Sequence, residues 1–333
     1  MAVGQTSPTK WSKFLKYYTQ DYEDTSIPMR DRMTAYVESL QKRLIAAFDE
    51  LDPAYKFHVD SWTRKQGGYG TSAVLSDARL ADPSNASGAP VPPSILEKGG
   101  INTSIVQGLL PPAAIAQMRA NHASVPYDPA ATSSLPYFAA GISIVLHPRN
   151  PYAPTVHANY RYFEITNATD AADPGERKVL AWWFGGGSDL TPAYLFAEDA
   201  VHFHATLRGA CAAHGSALYP ALKKWCDEYF YLPHRSESRG VGGIFFDDLS
   251  DEVHARMPHA TKPRLDEPQP QTAERPWGQE EIFGFLRSCA ESFLPSYLPT
   301  LKKRMHTAYG EHQRRWQLLR RGRYVEFNLV IDR

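Results

Sequence analysis

Cysteine is scarce in this chain: 333 residues hold three, Cys211, Cys226 and Cys289. An odd set without CxxC spacing supplies neither a disulfide framework nor a zinc knuckle. That points to a reducing compartment and, by default, the cytoplasm. Missing too is any apolar run near the ~20 residues of a membrane span. The stretch before Arg30 has no hydrophobic segment for secretion and no arginine, so neither a signal peptide nor a mitochondrial presequence fits it. An excess of either charge is also lacking. With Lys+Arg at 36 and Asp+Glu at 36, the formal net charge is zero, which argues against a nucleic-acid binder or a polybasic membrane protein. Nucleotide signatures are absent as well. No GxGxxG follows a strand-like run, and "GGGSDLTP" lacks the Lys-Ser/Thr pair of a phosphate-binding loop.

What is present is a globular chain, 43% apolar, in which the hydrophobic spacing changes character along its length. "MRDRMTAYVESLQKRLIAAFDEL" (29–51) has helical spacing, and "FHVDSWTRKQGGYGTSAVL" (57–75) is strand-like and broken by glycine. The runs "YFAAGISIVLHP", "TVHANYRYFEI", "KVLAWWF" and "GVGGIFFDDL" read as strands joined by short connections. Thr191-Pro192 looks like a cap and first residue of a helix running to about Ala213, which makes Gly185-Gly186-Gly187 a turn between strand and helix. Proline-rich stretches around 81–94 and 260–276 read as surface loops. Two late helices follow, with Gly322 as a stop and "RYVEFNLVI" as a last strand. Helices grouped before and after adjacent strands predict an α+β fold on an antiparallel sheet. With no internal repeat and no linker, one domain over 1–333 is expected.

Strand alternation sorts the polar residues. It places His157, Asn159 and Arg161 on one face, with Val156, Ala158, Tyr160 and Tyr162 on the other. Ser143, Val145 and His147 line up likewise one strand earlier. If the two strands pair through "RNPYAP", a His/Asn/Arg/Ser surface results. A plain solvated face would carry lysine, glutamate and threonine instead. On the helix after the glycines, Phe203, Leu207 and Cys211 form the apolar stripe, so His204 flanks the interior and His202 points away. "YFYLPHRSESRGVGG" supplies His234, Arg235 and Arg239. Arginine clamps a carboxylate with two parallel hydrogen bonds, so this set suits an acidic substrate. Asp189 can cap a helix, or it can lie over the centre of a flat ligand that side-chain-free glycines leave room for.

Taken together, "WTRKQGGYGTSAVL", "EKGGINTSIVQG", "LHPRNPYAPTVHANYRYFEI", "WWFGGGSDLTPAYLFAEDAVHFH", "YPALKKWCDEYFYLPHRSESRGVGGIFFDDL" and "LRRGRYVEFNLVIDR" resemble the oxygen-dependent coproporphyrinogen III oxidase family. The matching stretches run from about Trp62 to the last residue. The resemblance implies a large antiparallel sheet sandwiched between helices in a homodimer. It implies conversion of the ring A and B propionates of coproporphyrinogen III to vinyl groups. O2 is the co-substrate, two CO2 are released, and no organic cofactor takes part.

Residue by residue, the resemblance makes His157 a proton donor. Ser143, Asn159, Tyr160 and Arg161 become substrate-binding positions, Asp189 the acceptor of pyrrole N–H groups, and Arg239 an arginine near the propionates. His147, His157, His204 and His234 match four histidines described as metal ligands in bacterial relatives, so a divalent transition metal is one reading of the site. Two rivals to the metal-free oxidase follow: a four-histidine metal oxidase on the same substrate, and a non-catalytic tetrapyrrole carrier. The sequence departs from the family at Gly67-Gly68-Tyr69-Gly70, where the family has four glycines. The family also continues beyond the residues that match "YVEFNLVIDR", with a segment that contacts substrate and forms the dimer.

Overall fold

The computed structural model describes residues 21–76, 93–119, 125, 134–167, 177–257 and 274–332. The first helix, α1 (Met29–Leu51), buries Met33, Tyr36, Val37, Leu40 and Leu44 along one stripe. Strands β1 (His58–Thr63) and β2 (Gly68–Ser76) form a hairpin. Gly67 and Gly68 turn its corner at φ 108 and 104°, a region that disfavours any side chain. The fifteen-residue β3 (Leu96–Leu110) follows, a strand that glycine and asparagine hide from hydropathy patterning. A short helix α2 (Pro112–Arg119) then leads to β4 (Leu135–Pro148), β5 (Thr155–Thr166) and β6 (Val179–Thr191).

Next come α3 (Ala197–Ala212), α4 (Leu218–Tyr229), the two-residue strands β7 (Tyr231–Leu232) and β8 (Glu237–Ser238), and β9 (Gly242–Leu249). Helices α5 (Gln279–Glu291), α6 (Phe293–Arg304) and α7 (Glu311–Glu326) close the described chain. The large sheet has the order β1-β2-β3-β4-β5-β6-β9, antiparallel throughout, as the α+β reading expects.

The two faces of this sheet differ. One presents Ile142, Ile144, Tyr160, Tyr162, Phe184 and Phe246, all buried beneath α1, α3 and α5 in the main core. The other carries the polar set, and the described residues cover it at its β9 edge, where Tyr229 of α4 stacks on Phe245, and towards its ends. At one end Ile115 of α2 packs with Phe163 and Trp183. At the other, α7 lies against the sheet, with Gln317 donating to the Pro148 carbonyl at 2.9 Å and Tyr324 edge-on to His147.

Three sequence expectations change. The triple glycine is not a turn: Gly185, Gly186 and Gly187 lie inside β6, opposite Arg161, Tyr160 and Asn159. A Cβ at Gly186 would stand 2.7 Å from the Tyr160 ring and 2.8 Å from the Asn159 carbonyl, so glycine lets the strands pack this closely. The helix begins at Ala197 rather than Thr191, because β6 runs on through Thr191; Glu198 and Asp199 occupy its first turn. The last strand is absent, since α7 passes through Gly322 and ends in a wider turn over Phe327–Ile331. Helical phase puts Tyr324 and Phe327 on one face, both buried, whereas strand alternation would have separated them. The proline-rich loops at 81–94 and 260–276 fall largely outside the described residues.

Candidate active site

Cross-strand register builds the site. His157 of β5 stands directly opposite Asp189 of β6, and Ser143 of β4 is opposite Asn159 of β5. Because all four side chains leave the same face, pairing turns a sequence pattern into a surface.

The surface has two parts. The first is a closed ionic network. Asp189 is 2% exposed; its Oδ1 lies 2.7 Å from His157 Nδ1, and its Oδ2 accepts from Arg239 Nη2 at 2.6 Å. Arg239 is 3% exposed, and its guanidinium lies 3.7 Å from the ring centre of Phe230 and 4.5 Å from that of Tyr324. Burial pushes the Asp189 carboxyl up, but Arg239 and His157 outweigh that and hold it below its ordinary value. With Asp189 ionised, His157 presents Nδ1–H to it, which leaves Nε2 outside this pair.

The second part is an open cavity of about 660 Å³. Gly141 and Ser143 pave its floor, Phe163 and Trp183 close one side, and Asn159 and Arg161 face into it. Phe163 stacks on Trp183 at 4.5 Å between ring centres and on Tyr137 at 5.5 Å, a three-ring ladder across β4, β5 and β6. Arg161 donates to Asn159 Oδ1 at 3.3 Å and pairs with Asp247. A floor of small residues leaves room for a broad, flat ligand, and the arginine at its edge suits a carboxylate on that ligand's rim.

The sequence profile described as coproporphyrinogen III oxidase matches residues 32–333. The chain belongs to that family. It is 45% identical over 306 residues to the oxygen-dependent coproporphyrinogen-III oxidase of Drosophila melanogaster, covering 92% of this chain and 65% of the fly protein. It is 43% identical over 305 residues to the mitochondrial protein of that name from Rattus norvegicus, covering 92% of this chain and 57% of the rat one. Against the chloroplastic protein of Glycine max the identity is 42% over 313 residues, covering 94% of this chain and 69% of the soybean protein. The chain thus spans 65% and 57% of the length of the fly and rat relatives.

The coproporphyrinogen oxidase fold does not bring all the expected residues together. Tyr160 is fully buried on the opposite face, as strand alternation requires, so its side chain does not reach the cavity. The four histidines also separate. His204 Nε2 donates to the Val241 carbonyl at 3.1 Å while its Nδ1 lies 3.0 Å from the Tyr219 hydroxyl, so both ring nitrogens are occupied. Burial, and then Lys223, push its pKa down. His234 is exposed and held by Glu326 at 2.7 Å. His147 is buried beside Thr155, at 3.0 Å from its hydroxyl; burial, then Arg321 and Lys98, lower its pKa to about 3. Among the described residues no group of three or more His, Cys, Asp or Glu is placed to hold a metal ion. The four-histidine ligand set therefore does not fit one ion in this arrangement, since each ring serves a different protein partner.

Sequence reasoning missed Asp247 and Asp248, which line the cavity. The acidic pair ending "GIFFDDL" was the available signal, but only the pairing of β9 with β6 shows that it faces Arg161.

Proposed function

We propose that this chain performs the O2-dependent oxidative decarboxylation of coproporphyrinogen III to protoporphyrinogen IX. The observation that carries the proposal is the Asp189–Arg239 ion pair, with His157 hydrogen-bonded to it, on the same sheet face as a broad cavity that Arg161 edges. Family membership supports the substrate, and the names of the fly, rat and soybean relatives support O2 as co-substrate.

Each propionate that becomes a vinyl group loses CO2, one proton and two electrons, and O2 takes the electrons. The protein's task is thus to bind carboxylates, move protons and exclude competing reactions. Arg161 orients a propionate by paired hydrogen bonds, with Ser143 and Asn159 supplying neutral polar contacts beside it. Arg239 and His157 keep Asp189 anionic, and we assign it as the acceptor of the inward N–H donors of the macrocycle. We assign proton transfer to His157 Nε2, since its Nδ1 faces Asp189. We assign no organic cofactor. We also assign a homodimer and a cytoplasmic location; three buried free cysteines support a reducing compartment. No helix among the described residues is long and apolar enough to cross a membrane.

The deciding experiment mixes the protein with anaerobically reduced coproporphyrinogen, admits air, and follows O2 uptake, CO2 release and the fluorescence of protoporphyrin after oxidation. Parallel samples contain a chelator. Turnover in both samples is expected. Porphyrin binding without O2 uptake or CO2 release would make the chain a tetrapyrrole carrier, and turnover only without chelator would make it a metal oxidase.

A further inference from the structure

Charge in the cavity runs opposite to the ligand proposed for it. Among the described residues that line it, the charged ones are Arg161, Asp247 and Asp248, one cation against two carboxylates. A carboxylate entering this space would find Arg161 already held by Asp247, so that pair must open for it.

The backbone aims Asp247 inward. Along β6 and β9, Gly186 pairs with Phe246, but Phe184 pairs with Leu249, so β9 carries one residue more than β6 over this stretch. Alternation alone puts Asp247 on the face of Phe245, opposite the core-facing Phe246, and Leu249 is then returned to the core by this β-bulge. Asp248 absorbs it at φ 56°, unusual for a residue with a side chain. Its amide donates to Asp247 Oδ1 at 3.0 Å, which fixes the carboxylate. The other oxygen, Oδ2, holds Arg161 Nη2. Gly185 clears the space for the pair, since a Cβ there would lie 2.4 Å from Asp247 Oδ1 and 2.8 Å from Arg161 Nε. The ion pair is not sealed in: the Arg161 side chain is 42% exposed and that of Asp247 29%, so a carboxylate from solvent can reach the guanidinium.

We infer that Asp247 is an exchangeable internal counter-ion, which holds Arg161 in the empty site and gives it up to a substrate carboxylate. This rests on the reading of Arg161 as the propionate clamp. Exchange makes binding selective, because only a ligand with a carboxylate at that position replaces the interaction it breaks. It also aids discharge. Once the clamped propionate has left as CO2, the macrocycle carries an uncharged vinyl group at that position and Asp247 reclaims Arg161. Asp247 thus sets specificity and product release without taking part in the bond-breaking steps.

Titration of wild-type protein, Asp247→Asn and Asp247→Glu with oxidised coproporphyrin, a stable tetracarboxylic probe read by fluorescence, tests this without any turnover. Asp247→Asn removes the competitor while keeping its shape, so it should bind the probe roughly fivefold more tightly at low ionic strength. Asp247→Glu should return towards wild type. The gap between Asn and wild type should narrow in about 1 M salt, where exposed charges are screened. In steady state Asp247→Asn should lower KM without raising kcat. Equal or weaker binding by Asp247→Asn, with an unchanged melting temperature, would overturn the exchange and make Asp247 a fixed support for Arg161. If wild type binds the probe but releases no CO2 from coproporphyrinogen, the oxidase reading fails, and the titration still decides the exchange. No probe binding by wild type would overturn both.

Discussion

The carboxylate of Asp189 lies 2.6 Å from the guanidinium of Arg239, and both are sealed from water beneath Phe230 and Tyr324. Removing one partner strands the other in a medium that solvates it poorly. Arg239→Ala should therefore cost about 3 kcal/mol of stability, measured by urea unfolding. The Asp189 pKa is lowered in the folded protein, so its contribution is complete above the unfolded value of 3.8 and is lost as pH falls through the folded value. In Arg239→Ala the acid limb of stability should move to higher pH. An acid limb equal to wild type would show that His157 alone holds the charge. Asp189→Ala should abolish turnover with near-native circular dichroism; near-normal turnover would remove Asp189 from the chemistry.

Neighbouring glycines should respond differently to the same methyl group. At Gly186 the new Cβ meets the Tyr160 ring and the Asn159 carbonyl within the sheet, so Gly186→Ala should lose about 2 kcal/mol, read as a lower melting temperature. At Gly185 it meets the ends of Asp247 and Arg161, which can move. Gly185→Ala should melt close to wild type but raise KM by displacing the clamp.

Alanine substitution of the histidines separates a shared metal site from independent roles. His157→Ala should lose turnover by about 100-fold or more, the scale of a missing proton-transfer group. His234→Ala, at an exposed position held by Glu326, should change turnover less than threefold, roughly the scale of a surface ion pair. Equal and large losses at His147, His157, His204 and His234, restored by added divalent metal, would establish the ligand set instead.

His147 should make folding pH-sensitive well above the carboxylate range. Its pKa falls from 6.5 to about 3 on folding because burial, Arg321 and Lys98 disfavour the cation. The neutral ring therefore stabilises the fold fully above pH 6.5, and that stability drains away as pH falls towards 3. At about pH 5 the loss should approach 2 kcal/mol relative to neutral pH. Urea unfolding of wild type and His147→Gln across this range checks it; parallel pH slopes would refute it.

Much of this was legible in the chain. Alternation in "TVHANYRYFEI" separates His157, Asn159 and Arg161 from Tyr160 because a strand's side chains face opposite ways, whatever surrounds it. The helical stripe of α3 places Phe203, Leu207 and Cys211 in the core for the same kind of local reason. β3 was harder to see, since its Gly99, Gly100 and Asn102 pair well between two strands but weaken any hydropathy signal.

What the sequence determined by itself is the set of faces, the family and the residue types available for chemistry, since these depend on local periodicity and motif order. Tertiary structure decided which partner each charge finds. Asp189, readable as a helix cap, became a buried anion between His157 and Arg239 because β6 continues through the glycines. Asp247 meets Arg161 only because β9 pairs beside β6, which brings its non-core face next to that of β5. Tyr324 and Phe327 cover the site because α7 keeps its helical phase past Gly322. Such contacts join residues tens of positions apart, and their energy depends on burial and register, neither of which exists until the sheet has closed.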